Sequence, residues 1–140
     1  MLGVKPYIVF AGNCEEAVNF YKRSLNGSLS EISRYGDAHM GTDADKDLVM
    51  HVVLTIGDTV IMASDKTPAD PPVIGNNIHI ALGSDDIEGT EKMFNNMAEG
   101  GTVTMPMAET FWAAKFGMLI DKYGINWMFN CEKPHGNMAA

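Results

Sequence analysis

Apolar and polar residues alternate with a period of two along most of this chain, and twice the period lengthens to that of a helix. Residues 4–10, VKPYIVF, are apolar and β-rich and predict a first strand. Asn13-Cys14-Glu15-Glu16 then reads as a helix start of the capping-box kind, with Asn13 at the N-cap and Glu16 three residues on. Ala17, Phe20, Tyr21 and Leu25 recur at helical spacing, and Gly27 is the expected stop. SLSEISRY (28–35) alternates as a strand, GDAHMGTDADKD (36–47) is a polar loop, and VMHVVLTIGDTVIMAS (49–64) predicts two strands about a tight turn at Gly57-Asp58. DKTPADPPVIGN (65–76) carries Pro68, Pro71 and Pro72, which cannot join a sheet ladder, so it is expected as a linker.

The pattern then restarts. NIHIALGS (77–84) predicts a strand, and Asp85-Asp86 an acidic helix start. Ile87, Thr90, Met93, Phe94, Met97 and Ala98 form a helical stripe that Gly100-Gly101 closes. TVTMPMAE (102–109) reads as a strand whose Pro106 implies an edge or a bulge. FGMLID and INWMFNCE predict a last hairpin held at Asp121 and Lys122. Asn13 to Gly27 and Asp86 to Gly100 have the same span, which points to an internal duplication. The expected organisation is one α+β domain of two βαβββ modules forming a cleft-bearing mixed sheet: module 1 at about 1–64, a linker at 65–76, module 2 at about 77–133, and a frayed tail at 134–140.

Each helix must cover one face of its sheet. Along 78–84, Ile78, Ile80 and Leu82 face one way, while His79, Ala81 and Gly83 face the other. The bulky row suits the helix. The small row leaves space, and two such sheets would enclose a cleft into which His79 points.

Composition narrows the partners. With 46% hydrophobic residues in 140, the chain can build a core without disulfides. Its formal net charge of -8 argues against a nucleic acid or an anionic membrane as partner. No apolar run reaches the length of a membrane span, and the N-terminus reads as a strand, not a signal peptide. Cys14 and Cys131 form no CxxC, so reduced thiols in a cytoplasmic protein are expected. Exposed sheet edges and apolar surface favour a homodimer.

Two readings stay open for several residues. His51 is either a neutral core histidine or a cleft residue paired with His79 or Glu109 for acid–base work. Glu109-Thr110-Phe111-Trp112 is either a ligand-binding lip or a plug at the sheet edge. Asp43, Asp45 and Asp47 alternate like a calcium loop, but the sixth and twelfth positions are Leu48 and Leu54, which excludes an EF-hand. Phosphate loops, nucleophile elbows and the Gly-rich turn of a doubly wound methyltransferase are absent.

GNCEEAVNFYKRSL (12–25), MHVVLTIGDTVIMASD (50–65) and EGGTVTMPMAETFWAAKFGMLIDKYGINWMFNC (99–131) resemble the PhnB-like branch of the vicinal oxygen chelate superfamily, the fold of glyoxalase I, bleomycin- and fosfomycin-resistance proteins and extradiol dioxygenases. Members of that branch often carry a 3-demethylubiquinone 3-methyltransferase-like label. The resemblance implies a metal site with one ligand from the first and one from the last strand of each module. His79 matches one such position, but Tyr7 or Pro6, Met62 and Met128 stand at the others. Thioethers do not suit Zn²⁺, Ni²⁺, Mn²⁺ or Fe²⁺. The expectation is therefore a protein that binds a small, partly apolar organic ligand in a cleft near His79, His51, Glu109, Trp112, Met62, Trp127 and Met128, with no cofactor and with His79 the one metal ligand if a divalent metal is found. The alternative is a metal-dependent lyase, isomerase or dioxygenase.

Overall fold

The computed structural model describes residues 2–133, so the expected tail at 134–140 lies outside the described residues. The chain divides into two compact units, Met1–Val73 and Ile74–Ala140.

The first unit runs β1 (Tyr7–Phe10), α1 (Cys14–Leu25), β2 (Ser28–Leu29), β3 (Ser33–Arg34), β4 (Val49–Ile56) and β5 (Thr59–Asp65). Its sheet has the order β1-β5-β4-β2, with β3 also on β4. β1 lies parallel to β5, and β4 is antiparallel to β5. The second unit runs β6 (Ile80–Ser84), α2 (Ile87–Ala98), β7 (Thr102–Ala108), β8 (Ala113–Ile120) and β9 (Asn126–Glu132), with order β6-β9-β8-β7. Again the first strand is parallel to the last, and the last antiparallel to its predecessor. The two sheets share one topology, as two βαβββ modules should.

In each unit one sheet face is buried under the helix. Ile8, Phe10, Val52, Leu54, Ile61 and Ala63 are buried in the first, as are Ala17, Val18, Phe20, Tyr21 and Leu25 of α1. In the second, Leu119, Trp127, Phe129 and Cys131 are buried with Phe94 and Met97 of α2. Phe94 meets Phe129 edge to face at 5.3 Å.

Several local expectations are corrected. The first strand begins at Tyr7, not at residue 4. Asn13 occupies the N-cap but makes no side-chain cap hydrogen bond. The start of α1 is satisfied instead by Asp65, which closes β5 and is no part of the linker. Its Oδ1 accepts from the Gly12 and Cys14 N–H groups, each at 2.9 Å, and its Oδ2 from the Val49 N–H at 2.9 Å. A buried carboxylate needs such donors, and the positive end of a helix favours it. Asp86, by contrast, caps α2 as expected, accepting from Gly89 N–H at 3.0 Å.

At the other end of α1, Asn26 and not Gly27 takes the left-handed conformation, with φ 55°. Gly27 is required for another reason: a Cβ there would lie 2.8 Å from the Thr55 carbonyl oxygen. The strand expected over 28–35 is broken into β2 and β3, with a further register irregularity between Ser33 and Arg34; between the two pieces the Ser30 N–H donates to the Val53 carbonyl and its hydroxyl accepts from the Val53 N–H. β7 shifts register twice along β8, around Pro106.

Removing the Asp65 carboxylate strands three backbone donors, at least two of them buried. Asp65→Ala is expected to lower the unfolding free energy by about 3 kcal/mol in urea denaturation, and Asp65→Asn by less, since one acceptor oxygen survives. A loss below about 0.5 kcal/mol for both, the range of neutral surface changes, would contradict this role. Burial, assisted by the carboxylates of Asp65 and Glu15, pushes the Cys14 thiol from 9.0 up to about 12. The unfolded chain therefore releases this proton first. Stability is lost as pH rises from about 9 toward about 12, and a Cys14→Ala variant is expected to show a shallower alkaline decline by circular dichroism.

Candidate functional site

Period-two alternation places the opposite sheet face of each unit away from its helix. In the first unit, Tyr7 pairs with Met62 and Met62 with Val53, so these three share that face. His51 lies two residues before Val53, on the same side of β4. These residues are half-buried or exposed, in contrast to their buried neighbours in sequence.

Tyr7 and His51 meet across the intervening strand β5. The flanking strands are roughly 9–10 Å apart, a gap that a phenol and an imidazole can close together. The Tyr7 hydroxyl lies 3.3 Å from His51 Nδ1, and the ring centroids are 5.8 Å apart at 35°. Neither side chain has another hydrogen-bond partner among the described residues. The sequence leaves His51 as either a neutral core histidine or a cleft residue paired with His79 or Glu109; within its own unit it is half-buried and its partner is Tyr7. The sequence carried the clue: in a βαβββ module the first strand lies beside the last, which brings β1 within one strand of β4.

In the second unit, Ala81 pairs with Met128 and Met128 with Met118, while Phe116 pairs with Asn130. Met128 therefore lies on the face away from α2, as Met62 does in the first unit. His79 stands one residue before β6 instead of within it. Its Nδ1 is buried with no hydrogen-bond partner among the described residues, as is Asn130 Oδ1.

Trp112 leans on Phe116 edge to face at 5.4 Å and on Phe111 at 4.8 Å. Phe111 is 88% exposed and Trp112 37% exposed. Glu109 is exposed and has no ion pair or hydrogen bond among the described residues. Trp127 departs from the expected set. It is buried on the helix side, and its Nε1–H donates to Asp121 Oδ2 at 2.9 Å, which makes it a core residue. Asp121 Oδ1 also accepts from the Tyr123 and Ile125 N–H groups, so Asp121 does hold the last hairpin.

The remaining charges serve local structure. Arg34 makes a bidentate pair with Glu15 at 3.0 and 3.1 Å, which holds the Glu15 carboxyl below its ordinary value and raises the guanidinium. Asp45 is spent on the N–H and hydroxyl of Thr42. Within either unit, no three His, Cys, Asp or Glu side chains converge among the described residues. No helix among them is long and apolar enough to cross a membrane.

The fold and sequence have relatives. Residues 3–129 match the sequence profile of the Glyoxalase/Bleomycin resistance protein/Dioxygenase superfamily. Protein YjdN of Escherichia coli is 30% identical over 141 residues, covering 93% of this chain and 95% of YjdN. Protein PA1353 from Pseudomonas aeruginosa is 43% identical with a TM-score of 0.87, covering 94% of this chain and 98% of that one. A PhnB protein from Bacillus cereus, which carries a 3-demethylubiquinone-9 3-methyltransferase label, is 25% identical with a TM-score of 0.79, covering 93% and 99%. The chain belongs to the glyoxalase/bleomycin resistance protein/dioxygenase superfamily, in its PhnB-like branch.

Proposed function

We propose that this protein binds a small, partly apolar organic molecule on a helix-free sheet face, without the divalent metal site usual in its superfamily. One observation carries the reading. Where the superfamily draws ligands from the first and last strands of a module, the strand pairs here set Tyr7 against Met62 and Ala81 against Met128. With His79 one residue before β6, a phenol, two thioethers, a methyl group and one imidazole offer no carboxylate and a single nitrogen ligand. Divalent Zn, Ni, Mn or Fe needs such donors, usually three or more. These residues do not fit the metal.

The same residues suit an organic ligand. On the first sheet, Met62 and Val53 supply adaptable apolar area beside the Tyr7–His51 pair, which supplies a polar group to orient a guest. In the second unit, taken by itself, Trp112 and Glu109, near Phe116 in sequence and exposed, are candidates for the rim of a separate site beside Met128. A methyltransferase reading, taken from the Bacillus cereus relative's label, lacks support: neither sheet is a doubly wound nucleotide fold. The reading also takes the protein as a cytoplasmic homodimer.

One observation favours a second reading. His79 Nδ1 is buried without a partner, and a buried imidazole nitrogen in that state calls for an explanation. A metal-dependent lyase, isomerase or dioxygenase would use His79 as a ligand.

Thermal melting separates the two. With EDTA, and then with one equivalent of Zn²⁺, Ni²⁺, Mn²⁺ or Fe²⁺, the melting temperature of wild type and His79→Ala is expected to stay unchanged. Small aromatic and aliphatic acids and amides are expected to include compounds that raise it, since a ligand at about 100 times its dissociation constant adds roughly 2.7 kcal/mol. A metal-induced rise that His79→Ala abolishes would overturn the metal-free reading.

A further inference from the structure

We propose that Tyr7 and His51 form a recognition pair for the carboxylate of a small apolar acid, with Tyr7 acting as a positioning residue and His51 Nε2–H as the donor to the ligand. The inference rests on the binding reading above and names the ligand class.

The contact is 3.3 Å between the phenol oxygen and Nδ1, and one of the two groups must donate. A phenolic O–H is a better donor than a neutral imidazole N–H, and an imidazole nitrogen is a far better acceptor than a phenol oxygen. Donation therefore runs from Tyr7 to Nδ1, which places the ring proton on Nε2. Nε2 has no hydrogen-bond partner among the described residues, nor is it a buried orphan as His79 Nδ1 is. A fixed N–H donor on a half-buried surface selects an acceptor oxygen in the ligand.

Three features favour an anionic oxygen over a neutral one. A charged acceptor makes the shorter and stronger bond. The floor around the pair, formed by Val9, Val53, Met62 and Ser64, holds no carboxylate that would repel it. Lys5, two residues before Tyr7, has no ion-pair partner among the described residues. It sits where the chain still follows the sheet, since the Met62 N–H donates to the Pro6 carbonyl at 3.1 Å. The other nearby cation, Arg34, is committed to Glu15. The apolar side chains would cover the body of the guest, so a compact aromatic or branched monocarboxylate fits.

Imidazole ¹⁵N spectra of the ligand-free protein test the positioning step. Wild type is expected to show Nδ1 unprotonated and Nε2 protonated, and Tyr7→Phe a mixture of tautomers. The ligand class is tested by titrating benzoate and its neutral counterpart benzamide into wild type, Tyr7→Phe, His51→Ala and His51→Gln. Benzoate is expected to move the His51 resonances and to bind about tenfold more tightly than benzamide. Tyr7→Phe should lose several-fold in affinity, and His51→Ala should lose binding. His51→Gln, which keeps an N–H donor, should retain part and also guards against a folding defect. Equal binding of benzamide and benzoate would overturn the carboxylate assignment while leaving the binding reading intact. Undiminished benzoate binding by His51→Ala, a proton found on Nδ1, or no binding of either probe to wild type would each overturn the pair's role. The thermal-melting series decides the binding reading separately.

Discussion

The Asp65 carboxylate holds the first unit in register. It closes β5, receives the backbone N–H groups of Gly12 and Cys14 at the entry to α1, and receives that of Val49 at the entry to β4. The Tyr35 hydroxyl, from beyond β3, donates to its backbone carbonyl at 2.7 Å. One buried charge thus fixes the point at which two strands and a helix come together, and its own burial is tolerable because several donors surround it. Tyr7 and His51 are placed by this junction. His51 follows Val49 by two residues, and Tyr7 pairs three residues before Asp65 along β5. The polar pair on the open face depends on a carboxylate on the covered face.

The second unit reaches the same topology by different means. At the equivalent end of its last strand stands Cys131, paired with Ser84 as Asp65 is with Phe10. A thiol cannot replace a carboxylate as an acceptor, and here the N-cap residue Asp86 satisfies the helix start itself. The buried carboxylate of this unit is Asp121, which gathers the Tyr123 and Ile125 N–H groups and the Trp127 indole around the last hairpin. The two units share strand order and helix position, while the polar anchors beneath them differ.

Much of the fold was legible because it depends on patterns with a clear period. The helix at Ile87–Ala98, the turn at Gly57-Asp58 and the repeated strand order all follow from spacing and punctuation. Local chemistry that depends on distant strands was not. Asn13 looked like a cap, but a carboxylate fifty-two positions away does that work. Trp127 was grouped with Met128, yet adjacent residues of a strand face opposite ways, and the Trp127 indole N–H is held on the helix side by Asp121. The candidate site was half legible. His51, Met62 and Met128 do lie on the helix-free faces, while Tyr7 became visible as a partner only once β1 was seen beside β5. Its role could not follow from its own neighbourhood in the sequence, Lys5-Pro6-Tyr7.

An organic ligand is expected to rest on the helix-free face of the first sheet, centred on Met62 between Tyr7 and His51. Intermolecular nuclear Overhauser effects from methyl-labelled methionines to a bound aromatic ligand measure this most directly. Contacts are expected from the ligand protons to the Met62 methyl and to the Tyr7 ring. A ligand that contacts only methionines of the other sheet, with Met62 silent, would contradict this placement.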